Sequence, residues 1–171
     1  SLGGTNQGDY DKFVVKFDSD GTEVWKTQVG TSENDVGMGI AIDLNNNVYI
    51  TGYTQGDLYG TNQGSRDIIV VKYSVDGYEP EPESEPEPEP EPELVIEWTK
   101  QLGTAGYDYG NGIATDSNNN VYITGTTGGD LDGTNKGGND VFVVKYDSSG
   151  IEAWRKQLGT SCLLYTSPSP R

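Results

Sequence analysis

The sequence predicts an all-β chain, a β-propeller fragment built from four-stranded antiparallel blades, about two and a half of them. Three observations lead there. Residues 39–73 return 73 positions later as residues 112–146, identical at 25 of 35 positions without a gap. Two copies that close make the repeat the unit of structure. The apolar residues sit in short runs, Phe13-Val14-Val15, Val48-Tyr49-Ile50, residues 68–71 and residues 141–144, each bounded by Gly, Asn, Asp or Ser. That is the pattern of strands and turns, and no helix-length amphipathic period accompanies it. Each repeat holds four such runs, the content of one propeller blade.

Taken in order, residues 1–30 match the second half of the repeat and supply a partial blade, with strands near 11–18 and 23–29. The phrase GTNQG at Gly4–Gly8 recurs at Gly60–Gly64, and as GTNKG at Gly133–Gly137, which are spacings of 56 and 73 residues. One insertion explains the difference: Trp25 and Trp154 follow the turn glycines Gly21 and Gly150 by four residues, whereas Trp98 follows Gly77 by 21. The native period is therefore 56 residues. Residues 31–103 form a complete blade, with strands near 37–43, 47–54, 67–74 and 96–102 and a Glu/Pro-rich insert at 78–94. Residues 104–161 form another, with strands near 110–116, 120–127, 140–147 and 152–158. The middle strands are apolar on consecutive positions, as a sheet covered on both faces requires. In the last strand Trp98 and Leu102 alternate with Thr99 and Gln101, the pattern of an outer strand with one wet face.

The insert alternates Glu and Pro from Glu79 to Glu93 with one Ser. Proline removes backbone donors and the glutamates repel, which predicts an extended, solvated spacer and not a domain. The Asn triplets 45–47 and 118–120 sit where tight hairpins need left-handed backbone. Gly52 and Gly125 end the second strand of each copy, where close backbone approach is expected.

Charge and composition exclude several functions. The formal charge is −16, and the eight glutamates of the insert account for half of it. An acidic chain without basic clusters does not suit nucleic acid or anionic membrane surfaces, and no apolar membrane span is present. The chain has no histidine and one cysteine, Cys162, which removes Cys/His zinc sites and histidine acid–base chemistry.

The phrase DxxxGIAxDxNNNVYITGxT, at Asp35–Thr54 and Asp108–Thr127, with GNDVFVVKYDSSGIEAW at Gly138–Trp154, resembles the bacterial β-propeller repeat family known as SBBP. The resemblance covers residues 1–159 apart from the insert. It implies a secreted or cell-surface bacterial protein with no assigned reaction, acting as a scaffold or binding module for a protein or carbohydrate ligand, and neighbouring further blades of its own chain. The phrases FDSDGTEVW at Phe17–Trp25 and YDSSGIEAW at Tyr146–Trp154 are similar to the tryptophan-docking repeat of quinoprotein propellers, which implies a structural role for Trp25, Trp98 and Trp154. It also leaves a quinone-dependent enzyme as the alternative, its catalytic residues lying elsewhere. The last ten residues, CLLYTSPSPR, fit neither the repeat nor its composition and resemble a translated transposase-type sequencing adapter. Residues 162–171 are on that reading a non-native tail.

Two sets of residues remain as candidate sites. Asp43, Asn45 and Asn47, with Asp116, Asn118 and Asn120, place oxygen ligands at alternate positions as a calcium loop begins. The glycine and glutamate that complete such a loop are replaced by Val48 and Thr54, or Val121 and Thr127, so hairpin chemistry explains them as well and calcium stays open. The second set is acidic: Asp35 and Asp108 before the first strand, Asp57, Asp67, Asp130 and Asp140 around the long connection between second and third strands. These connections are expected on one face, where propellers place ligand contacts. Paired carboxylates could act as acid and base, but a catalytic residue occurs once, and recurrence favours architecture. No catalytic residue is assigned, and no cofactor beyond the calcium alternative.

Overall fold

The computed structural model describes residues 5–76 and 93–161. Ten strands form three antiparallel sheets. A two-stranded half blade pairs β1 (Lys12–Phe17) with β2 (Glu23–Val29). The first blade runs in sequence order through β3 (Asp35–Ile42), β4 (Val48–Thr54), β5 (Asp67–Asp76) and β6 (Glu93–Leu102). The second blade repeats it with β7 (Asp108–Thr115), β8 (Val121–Thr127), β9 (Asp140–Tyr146) and β10 (Glu152–Leu158). Among the described residues no helix interrupts this all-β arrangement, the architecture of a partial propeller. The tail at 162–171 and the insert residues 77–92 lie outside the described residues.

The core lies between sheets. One cluster joins Tyr49, Ile68 and Val70 of the first blade to Val121, Ile123, Phe142 and Val144 of the second. The other joins Val14 and Trp25 of the half blade to Val48, Ile50, Val71 and Tyr73 of the first blade. Neighbouring side chains on β5 thus serve opposite faces, as strand geometry dictates. Consecutive burial, however, belongs to the first blade only. Along β8 and β9 the burial alternates, because only one face of the second blade has a neighbour. Tyr122, Thr124, Val141 and Val143 carry the same residue types and stay half-buried. On the other flank Phe13, Met38 and Ile40 border an open apolar groove of about 310 Å³ between β1 and β3.

Four strand limits differ from the sequence expectation by two or three residues. β5 continues past Ser74 to Asp76 and β6 begins at Glu93, not Ile96, with Val75 opposite Leu94 and Asp76 opposite Glu93. β-forming residues, Val75 and Leu94 among them, flank the insert, so pairing runs past the limits expected. β3 and β7 also begin two residues earlier than expected, at Asp35 and Asp108. The strands end at Asn-rich turns in which Asn46 and Asn119 adopt φ of 62° and 60°, the conformation asparagine accepts more readily than other side chains.

Gly52 and Gly125 sit opposite bulges. The register slips between Gly37 and Gly39, and between Gly110 and Gly112, pushing a carbonyl toward the second strand. A Cβ on Gly52 would lie 1.9 Å from the Val36 oxygen, and one on Gly125 1.8 Å from the Tyr109 oxygen. The obstacle in both cases is backbone, which cannot swing away. Gly125→Ala is therefore expected to cost about 1–3 kcal/mol, the range of core overpacking. Urea denaturation of the whole chain checks this, and an unchanged midpoint would refute the close-approach account.

Candidate functional site

All connections from one blade to the next, and the long β4–β5 and β8–β9 loops, open at the same end of the sheets. Buried aspartates at the strand starts organise this end. Asp35 accepts hydrogen bonds from the amide and hydroxyl of Thr31, at 2.5 and 2.8 Å. Asp108 does the same with Thr104, at 2.6 and 2.9 Å. The half-buried Asp11 and the buried Asp67 and Asp140 use another arrangement: each accepts the amide of the residue four positions earlier and the side-chain amide of an outer-strand glutamine. Asp67 takes Gln63 N at 2.9 Å and Gln101 Nε2 at 3.0 Å, and Asp140 takes Lys136 N at 3.1 Å and Gln157 Nε2 at 2.9 Å. Burial pushes the Asp67 carboxyl up, against the bonds from Gln101 and Gln63 that favour its anion.

The glutamines are functional to the fold and were not singled out from the sequence. Gln101 Oε1 also receives the amides of Leu58 and Tyr59, and Gln157 Oε1 those of Leu131 and Asp132, so each holds a loop tip onto its own outer strand. The signal was present as the recurring pair before a glycine, Gln28-Val29-Gly30, Gln101-Leu102-Gly103 and Gln157-Leu158-Gly159. Asp57 and Asp130 cap the loop tips by accepting the amides of Asn62 and Asn135, at 2.7 and 2.8 Å. The six candidate aspartates thus lie on one face, each engaged in the loop scaffold of its own blade.

Asp43, Asn45, Asn47 and their copies Asp116, Asn118, Asn120 lie at the opposite end, in the β3–β4 and β7–β8 turns. Asp43 accepts the amides of Asn45 and Asn47 on one oxygen and the Asn47 side-chain amide and Tyr49 hydroxyl on the other, all within 2.9–3.0 Å. The same bonds at Asp116, the Asn120 side chain first among them, hold its carboxyl down to about 2. Asn47 and Asn120 turn their amide nitrogens toward the carboxylate, so each set of three residues closes its own hairpin.

What differs between the copies is more informative. On the loop face, at the junction of the two blades, the Arg66 guanidinium lies against Tyr53, Tyr107 and Tyr109, at 4.5, 5.5 and 5.2 Å from their ring centroids. Arg66 donates to the Tyr109 hydroxyl, and Tyr53 and Tyr109 meet edge to face at 5.3 Å. A backbone bridge between Arg66 and Tyr107 and the bond from Asp108 N to Arg66 O pin the group in place. Tyr107 is 52% exposed. The equivalent residues in neighbouring repeats are Tyr10 or Asn139 for Arg66, Thr126 for Tyr53, Asn34 for Tyr107 and Val36 for Tyr109. Reading the repeats for identity passes over such a cluster.

A second departure is Lys12, which stands where the later blades carry Ile68 and Val141. It is buried, 4% exposed, and donates to the Tyr59 hydroxyl at 3.0 Å. Burial pulls it down to about 7, only partly opposed by the charge of Asp35.

Comparison with known proteins agrees with this architecture. The family model described as "Beta-propeller repeat" (SBBP) matches residues 24–60 and 97–132. An uncharacterized WD repeat-containing protein of Acanthamoeba polyphaga mimivirus is 28% identical over 168 residues, covering 91% of this chain. The chain spans 12% of the length of that protein. That relative is viral, whereas the resemblance read from the sequence implied a bacterial source.

Lys12 sets the pH dependence of the half-blade interface. With its folded value near 7 and its unfolded value near 10.5, the unfolded chain binds the extra proton between those limits, so stability rises with pH across that window. Below about pH 7 both states are protonated and the burial cost is present in full. Lys12→Met cannot protonate. Urea melts at pH 7 and pH 9.5 should show it more stable than the parent at pH 7, with the gap narrowing at pH 9.5; a gap of constant size would exclude a neutral Lys12.

Proposed function

We propose that this chain, a carrier of SBBP beta-propeller repeats, is a non-enzymatic binding module that presents its loop face to a protein or carbohydrate ligand outside the cell. The observation behind this reading is the cluster of Arg66 with Tyr53, Tyr107 and Tyr109. Tyrosine and arginine are the residue types that concentrate binding energy at interfaces, since they bring large apolar area at low entropic cost together with a polar end. A tyrosine ring is equally a platform for the apolar face of a sugar. The cluster stands on aspartate- and glutamine-pinned loops, so its side chains are ordered before a ligand arrives. The acidic residues around it recur in each blade as scaffold, which suits presentation better than catalysis.

The extracellular placement rests on the repeat resemblance and on a Gly-, Asn- and Thr-rich chain poor in cysteine. The test uses the whole chain on glycan and peptide arrays, followed by titration of the best-bound probe. Tyr107→Ala, which removes an exposed ring, should weaken that probe at least about tenfold, as loss of a hot-spot residue does. Binding that survives both Tyr107→Ala and Tyr53→Ala unchanged would overturn the assignment of this face.

A further inference from the structure

Among the described residues, Arg66 is a cation without a counter-ion. Arg155, the other arginine among them, turns its Nε–Nη2 edge to Glu152 and holds both carboxylate oxygens, at 2.7 and 2.5 Å. Arg66 uses only Nη1, which donates to the Tyr109 hydroxyl. Its Nε is covered and has no acceptor, and its Nη2 has no partner among the described residues. Side by side on one edge, Nε and Nη2 are the fork that takes a carboxylate through two parallel hydrogen bonds.

Carboxylates stand in the same loops but are committed elsewhere. Asp57 caps its loop tip through the Asn62 amide, Asp67 accepts from Gln63 and Gln101, and Asp108 takes both donors of Thr104. Burial, and beyond it the charges of Asp108 and Asp57, push the Asp67 carboxyl up, so these three sense one another. None forms an ion pair with Arg66. The tyrosine rings hold the guanidinium through its π contacts and leave the Nε–Nη2 edge without an acceptor. Tyr10 and Asn139 stand at this position in the neighbouring repeats, so among the joints of this chain the charge belongs to this one.

We propose that the ligand of this face is a saccharide with a carboxylate on its ring, a uronate, whose oxygens accept from Nη2 and Nε of Arg66 while its C–H face lies on the Tyr107 ring. The inference rests on the binding role proposed above. A pyranuronate carries its carboxylate and an apolar face on one rigid unit, and Arg66 and the exposed Tyr107 offer a fork and a ring side by side, 5.5 Å apart. An acidic peptide side chain brings the carboxylate on a flexible stem, leaves the ring uncovered and loses more freedom on binding. One cation in a chain of formal charge −16 matches one carboxylate, so the uronate stands among neutral sugars and not in a polyuronate, which the chain repels.

NMR titration of the whole chain tests this, with the methyl glycosides of glucuronate, galacturonate and mannuronate beside their neutral twins, at up to about 10 mM, where a single-sugar site is populated. At least one uronate should bind at least about tenfold more tightly than its twin and move the Arg66 Nε–H resonance downfield, as a new charged acceptor does. Arg66→Lys keeps the charge but loses the fork; it should abolish that preference and leave the affinity for the neutral twin unchanged. The resonance is read on the parent chain, so that result stands even where Arg66→Lys weakens the fold. Equal affinity for uronate and twin, with binding still dependent on Tyr107, would overturn the carboxylate and leave the binding role of this face standing. An N-acetylated glutamyl amide that moves the same resonance at equal affinity would overturn the sugar in favour of an acidic peptide. No response to any of the three uronates would overturn the proposal whatever else binds.

Discussion

Face-to-face packing of strongly apolar sheets is the constraint on which everything else in this structure depends. Each sheet offers two apolar faces, and burial of apolar area, at about 25 cal/mol per Å², is the main force available to so polar a chain. The first blade satisfies both of its faces, with Ile68 and Val70 turned to one neighbour and Val71 and Tyr73 to the other. Close approach of the inner strands then demands the glycines. A Cβ on Gly110 would meet the Thr51 hydroxyl at 2.2 Å, so the first strand of one blade lies directly against the second strand of the preceding one.

Polar groups fix the geometry that apolar packing leaves undetermined. The aspartates at the strand starts hold connections between sheets, and the outer-strand glutamines fasten the long loops to the blade they belong to. The Asn-rich turns do the same at the other end, with Tyr49 and Tyr122 reaching from the sheets to the turn carboxylates. Because these groups recur, the loop face is a standard frame on which single positions can vary. The Arg66 cluster and Lys12 are such variations, both at joints between sheets.

The tryptophans fasten one sheet to the next. Trp98 finds its acceptor in the β9–β10 turn. Trp25 is buried against the first blade, but among the described residues its indole nitrogen has no acceptor, because β5 and β6 continue where the equivalent turn would close. Apolar burial at the Trp25 joint thus proceeds without the hydrogen bond that Trp98 makes to the Ser148 oxygen.

The amino-acid sequence by itself determined the repeat, its period, the four strands of each blade to within two or three residues, and the asparagine and glycine positions. All of these are local: strand pattern, turn conformation and the recurrence of a phrase are written in neighbouring residues. The candidate aspartates were legible as residues but not as a network: Asp67 and Asp140 bond glutamines 34 and 17 positions away along the chain, while the partners of Asp35 and Asp108 are local. Tertiary structure alone decided the rest. It brought Tyr53, Arg66, Tyr107 and Tyr109 together across a blade junction, left Trp154 exposed while burying Trp25 from the same phrase, and placed Lys12 in a core position. Equivalent side chains acquire different environments because burial depends on which sheet stands opposite, and that is a property of the neighbours and not of the repeat.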